Sequence, residues 1–120
     1  MKLEAKNFSS PDEKREPPGM KGELVHVGEQ TVAHGKMEPG WRWSTNIKPI
    51  AGTDSCQFLH TGYVIAGSMH VKHEDGTEVE LKAGDVYVIP PGHDAWVVGD
   101  TAYESIDWGP RADQFAKKSE

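Results

Sequence analysis

From Glu23 to Trp108 the chain alternates apolar and polar positions in short runs, each cut by Gly, Pro, Asp or Asn. The segments "ELVHV", "QTVAHGKM", "GWRWSTNI", "SCQFLH", "YVIAG", "SMHVKH", "TEVELK", "DVYVIP", "AWVVG" and "AYESIDW" each read as a strand. A helical repeat is absent until "RADQFAKK", which predicts a turn or two of helix. So many short strands in one small domain predict an all-β sandwich or barrel. Residues 1–22 are polar and proline-rich ("FSSPDEKREPPGMKG") and predict a loosely ordered arm that could dock on a partner subunit. The expected organisation is therefore arm 1–22, β domain 23–110 and a short tail 111–120.

One hairpin can be derived to the residue. A two-residue Asp75-Gly76 turn would set Val71 opposite Glu80 and mix polarity on both faces. A three-residue loop, Glu74-Asp75-Gly76 with Gly76 left-handed, moves the register by one. Met69 then faces Leu81 and Val71 faces Val79 on an apolar side, while Lys72 meets Glu78 and His70 meets Glu80 on the polar side. The second register is self-consistent, and it makes His70 a surface histidine. His26 and His73 also read as ordinary.

Composition narrows the partners. With 120 residues the chain has room for one core. Its net charge is −6, from 13 basic and 19 acidic residues, with no Lys/Arg-rich block, which argues against nucleic acid or an anionic membrane as partner. No apolar run approaches a membrane-spanning length, and the first residues carry no apolar signal core. A single cysteine cannot form an internal disulfide and fits a reducing compartment, so a cytoplasmic protein is expected.

Candidate chemistry gathers in "DSCQFLHTGYVIAG". Asp54, Cys56 and His60 are separated by even numbers of residues, which on a strand places them on one face. Each also has a plain structural role open to it: Cys56 as a small apolar filler, Asp54 as a turn cap, His60 as a buried histidine bonded to a carbonyl or water.

The stretch "GDVYVIPPGHDAW" resembles the second motif of the cupins: Gly, five residues, Pro, any residue, Gly, two residues, His. Gly84, Pro90 and Gly92 match it; the final histidine falls on Ala95, with His93 one strand repeat earlier and able to face the same interior. In the first cupin motif, Gly67 supplies the closing glycine, His60 occupies the glutamate position, and Cys56 and Asp54 occupy the two histidine positions. The resemblance covers about residues 40–108 and implies a small single-domain cupin, a jelly-roll barrel paired into a homodimer, with a metal in the barrel mouth. It implies His60, His93, Cys56 and Asp54 as a substituted ligand set for one divalent ion, zinc, iron, manganese or nickel. The thiolate argues against Mg²⁺ and Ca²⁺.

Trp41 and Trp43 share a face of "GWRWS", as core or as a dimer surface, and Arg42 on the opposite side would then point inward or to the rim, and if inward would anchor a carboxylate. Arg42, Tyr63, Trp96 and His34 complete the expected ligand-binding set. Three functions stay open: a metal-dependent oxygenase, isomerase or lyase acting on a small polar or carboxylated molecule; a metal-free binding module; and a non-catalytic dimer scaffold.

Overall fold

The computed structural model describes residues 2–109 and Ala112. Among these, nine strands and two short helices follow in the order β1 (Glu13–Arg15), β2 (Met20–Val27), β3 (Gln30–Met37), α1 (Trp43–Asn46), α2 (Lys48–Ala51), β4 (His60–Ala66), β5 (Ser68–His73), β6 (Glu78–Lys82), β7 (Val86–Ile89), β8 (His93–Val97) and β9 (Tyr103–Trp108). A six-stranded sheet runs β1-β2-β3-β9-β4-β7 and a three-stranded sheet runs β6-β5-β8. Every described strand pairing is antiparallel, as an all-β barrel of hairpins and crossovers requires. The fold is the expected cupin-type β-barrel.

The two-residue repeat decides what enters the interior. In β8, His93, Ala95 and Val97 are buried while Asp94 and Trp96 are only partly so. In β9, Tyr103 and Ser105 point inward on the same repeat. Leu24 and Val64 are wholly buried between the sheets. Each such side chain contributes about 1.5–3 kcal/mol of burial free energy.

The β5–β6 hairpin adopts the derived register: Met69 opposite Leu81, His70 opposite Glu80, Val71 opposite Val79 and Lys72 opposite Glu78. Gly76 is left-handed, at φ 94°, as the three-residue loop needs. Val79 departs from the expected burial and is half exposed, because β6 is an edge strand.

Three expectations are corrected. "GWRWSTNI" is not a strand: after an isolated bridge between Arg42 and Trp96 the chain coils into α1 and α2. Pro49 stands in the first turn of α2 and left-handed Gly52 closes it, a start and stop signal that outweighs the tryptophan alternation. In "SCQFLH" only His60 belongs to a strand; Ser55 to Leu59 are a loop with an isolated bridge between Cys56 and His93. The boundary at residue 22 falls inside β2, whose first residue, Met20, is buried in the core, and β1 pairs along β2. Earlier residues are tied to the same chain: Glu4 accepts from the Gly28 amide at 2.8 Å and Asp12 from the His26 amide at 2.7 Å. The expected helical turn in "RADQFAKK" and the tail 111–120 lie, Ala112 apart, outside the described residues.

Candidate functional site

The loop carrying Cys56 is clamped to the corner before β8. The Cys56 amide donates to the His93 carbonyl at 2.8 Å, and the Cys56 carbonyl accepts from the amides of Gly92 (2.7 Å) and His93 (3.2 Å). Gly92 turns this corner at φ 94°, a conformation that favours glycine. His60 opens β4, opposite Ile89 of β7. Cys56, His60 and His93 thereby come together, with one ligand atom of each lying within 4.8 Å of the others. Cys56 Sγ is 3.5 Å from His60 Nε2, and the two imidazole rings meet edge to face at 5.2 Å.

Hydrogen bonds fix both imidazoles. His93 Nδ1 lies 2.7 Å from the Pro90 carbonyl, which can only accept, so Nδ1 carries a proton. His60 Nδ1 donates to Asp107 Oδ2 at 2.9 Å, and the other Asp107 oxygen accepts from the Tyr87 hydroxyl. Burial opposes charge on His60, but Asp107 and the Cys56 sulfur outweigh it and push its pKa up to about 10. Burial likewise opposes a thiolate at Cys56, and the two histidines outweigh it and bring its pKa down to about 6. Burial, with the Asp107 charge close by, pushes the Tyr87 phenol far up, so it stays a donor.

These groups line a cavity of about 80 Å³ whose other walls are mostly apolar, including Trp41, Trp43, Ile47 and Phe58. By the same measure one water occupies roughly 10–15 Å³, so a few waters or a small organic molecule fit.

The remaining expected site residues lie elsewhere. Asp54 is fully exposed and faces Lys48 at 3.4 Å; the even spacing that grouped it with Cys56 holds only on a strand, and residues 52–59 form a loop. Arg42 lies outside the cavity, 4.2 Å over the Trp96 ring and 3.4 Å from Asp94, so neither Arg42 nor Trp96 reaches the interior. Tyr63 is on the outer face of β4, 41% exposed. His34 is on the outer face of β3, between Glu23 (2.9 Å) and Glu104 (2.7 Å). Trp41 and Trp43, one option for a dimer face, are buried. Asp107 and Tyr87 were absent from the expected site. The signal for Asp107 lies in β9, where it shares the two-residue repeat of Tyr103 and Ser105.

The family model of the EutQ-like cupin domain matches residues 47–106, half of the chain. The chain belongs to the EutQ-like cupin family. No curated protein matches this cupin's sequence significantly. Among solved structures, a protein of unknown function from Rhizobium leguminosarum is similar over 92% of this chain and 99% of its own, at 19% identity and a TM-score of 0.64. KdgF from Halomonas is similar over 80% of this chain and 84% of its own, at 24% identity and a TM-score of 0.56. The oxalate decarboxylase of Lactobacillus farciminis is similar over 80% of this chain but 30% of its own, at 17% identity and a TM-score of 0.56. At such identities the likeness is one of fold. The cupin carries a His/Cys group of a kind that can hold a metal, in a family where a bound metal is common.

Proposed function

We propose that this cupin holds one divalent transition ion on Cys56, His60 and His93 and uses the cavity beside it to bind, and act on, a small molecule. The observation that carries this reading is the commitment of both Nδ1 protons away from the cluster, to Asp107 and to the Pro90 carbonyl. His60 Nε2 is left facing the Cys56 sulfur, with His93 in the same cluster. A buried carboxylate or carbonyl behind a histidine is how metal-ligating imidazoles are oriented. The 3.5 Å separation of Sγ and Nε2 also fits: zinc–sulfur and zinc–nitrogen bonds of about 2.3 and 2.0–2.1 Å at a tetrahedral angle subtend about 3.5 Å. One sulfur and two nitrogens favour zinc or iron over hard cations. An ion held by these three residues would supply Lewis acidity to the cavity beside it. Tyr87 keeps its proton and donates it to Asp107 in a hydrogen bond, Asp107 keeps its negative charge toward His60, and the apolar walls limit water.

Elemental analysis of protein purified without added metal, and after reconstitution with each ion, tests this. Near-stoichiometric zinc, iron, manganese or nickel that vanishes in Cys56→Ser and His93→Ala supports it; no bound ion under any condition overturns it. The same 3.5 Å contact favours a second reading, in which Cys56, His60 and Asp107 work without metal as a thiolate–imidazolium pair. Fast alkylation of Cys56 in a metal-free protein that no ion protects would support that reading instead.

We further propose that the chain forms a homodimer, through the outward face of β4 and β7. Val86 and Val88 are 69% and 65% exposed there, beside Tyr63 and Ile65, and among the described residues β7 is an edge strand without a guarding charge on that face. Val86→Lys with Val88→Lys should convert a dimer to monomer in sedimentation; an unchanged dimer would place the interface elsewhere.

A further inference from the structure

A residue outside the cavity reaches both chain segments that carry Cys56 and His93. Glu74 directly follows β5, in the loop before β6, and lies at the surface. Its amide donates to the Gly92 carbonyl at 2.9 Å, and Gly92 directly precedes His93. Its carboxylate accepts from the hydroxyl of Ser55, which directly precedes Cys56. Glu74 thus holds the chain neighbour of each of the two residues that the amide–carbonyl clamp joins.

The contact differs from an ordinary surface hydrogen bond. Ser55 is buried, its oxygen already accepts from Gln57 Nε2 at 2.8 Å, and its own proton goes to Glu74. A hydroxyl–carboxylate bond of this kind is charge-assisted and stronger than a neutral one. The carboxylate also lies across Gly92, where a Cβ would stand 2.9 Å from Glu74 Oε2 and 3.2 Å from its Cδ. Bare glycine leaves it that path. The carbonyls of the Pro-Pro-Gly corner are captured one after another. Pro90 accepts from His93 Nδ1, Pro91 from His73 Nε2 at 2.7 Å, and Gly92 from the Glu74 amide. The carbonyl that orients His93 therefore belongs to a corner held in place by the end of β5 and its loop.

Resting on the reading of Cys56 and His93 as ion ligands, we propose that Glu74 is a positioning residue for the cluster. Through Ser55 and Gly92 it fixes how the Cys56 sulfur and the His93 imidazole are set toward each other. Glu74 does not line the cavity, so it acts only through these neighbours. The working part of its side chain is the accepting oxygen rather than the charge.

The test compares Glu74→Ala, Glu74→Gln, Ser55→Ala and the Ser55→Ala/Glu74→Ala pair in the full chain. All keep the backbone bond from residue 74 to Gly92, so the side-chain bond alone is probed. Zinc affinity is read by chelator competition, and amide hydrogen exchange is read in the metal-free protein. Either alanine should weaken zinc about tenfold, the lower end of what losing a support behind a ligand costs. Each should also speed exchange of the Cys56 and Gly92 amides and leave the β2–β3 amides unchanged. Glu74→Gln keeps an accepting oxygen and should bring both readouts back toward wild type. The double variant should lose no more than either single one, because both remove the same bond. Equal losses in glutamine and alanine would make the effect one of charge and overturn the proposal. Additive losses, or exchange raised throughout the barrel, overturn it as well. Should Glu74→Ala not fold, Ser55→Ala and Glu74→Gln decide on the same terms. A wild type that takes up no ion sinks the metal reading, and exchange at Cys56 and Gly92 then decides the positioning role. Zinc bound equally by wild type and every variant keeps the ion and sinks that role.

Discussion

Of the histidines held by carboxylates in this protein, His34 and His60 are the two least exposed, and they differ in one nitrogen. His34, on the outer face of β3, has Glu23 on Nδ1 and Glu104 on Nε2. His60, in the barrel, has Asp107 on Nδ1 only and turns Nε2 to the Cys56 sulfur. Both are pushed toward the charged form: at His34 the two glutamates outweigh burial, and at His60 Asp107 and the thiol do. A histidine–carboxylate pair with a raised pKa is therefore not by itself a site. The inner cluster stands apart because one nitrogen stays uncommitted, beside a cavity, next to a second imidazole and a thiol.

Gly62 offers the sharpest way to break this comparison. A Cβ there would meet the Ile106 carbonyl, the Tyr87 hydroxyl at 2.5 Å and Asp107 Oδ1 at 2.6 Å. The carbonyl belongs to the paired strand β9 and cannot step aside. Gly62→Ala should lose about 3 kcal/mol or more in denaturant unfolding, the upper range for overpacking. Gly35, the neighbour of His34, faces only ordinary contacts at 3.5 Å and beyond, and Gly35→Ala should cost far less.

Next in size is the carboxylate itself. Asp107→Asn should weaken metal binding about 10–100-fold in chelator competition, by loosening the imidazole it orients. Glu104→Gln on the outer cluster should leave that affinity unchanged; an equal loss in both would show that the effect is global rather than one of orientation.

In metal-free protein, the ultraviolet absorbance of the Cys56 thiolate should titrate near pH 6 instead of the ordinary 9.0. His60→Gln should move that midpoint upward and His34→Gln should not. The signs follow from linkage. The thiol's folded value is depressed, so its stabilisation is present above pH 9.0 and lost as pH falls through about 6. The His60 value is raised, so its stabilisation is full below 6.5 and lost as pH rises through about 10. The charged pair is thus intact only between about pH 6 and 10.

The smallest effect belongs to His34. Its pKa is raised, so whatever it contributes is full below 6.5 and fades as pH rises through the folded value. The melting temperature of wild type should exceed that of His34→Gln most on the acidic side and converge with it at alkaline pH.

The parts of this architecture legible in the sequence are those where the period of two runs unbroken and a turn signal sets the phase. The β5–β6 register followed from Glu74-Asp75-Gly76 and two complementary faces. His93 could be placed inward because Ala95 is one repeat away on β8. The failures are equally physical. Trp41 and Trp43 alternate like strand residues, yet a four-residue helix is too short to show a 3.6 period, and only Pro49 and Gly52 betray it. Asp54 was grouped by a parity rule that a loop does not obey. Asp107 escaped because it comes from β9, 47 residues beyond His60, and only the pairing of β4 with β9 brings the two together.

The backbone clamp between Cys56 and His93 has a consequence for how an ion would be held. Two of the three ligands are registered to each other by amide–carbonyl bonds, with no help from the ion. Metal would then be a guest in a finished frame, unlike the small zinc modules that are unfolded until loaded. Stripping it should leave the barrel's circular dichroism unchanged and lower the melting temperature only as far as simple mass action dictates. A frame of that kind can be loaded with one ion after another and compared, ion against ion, on a single unchanging scaffold.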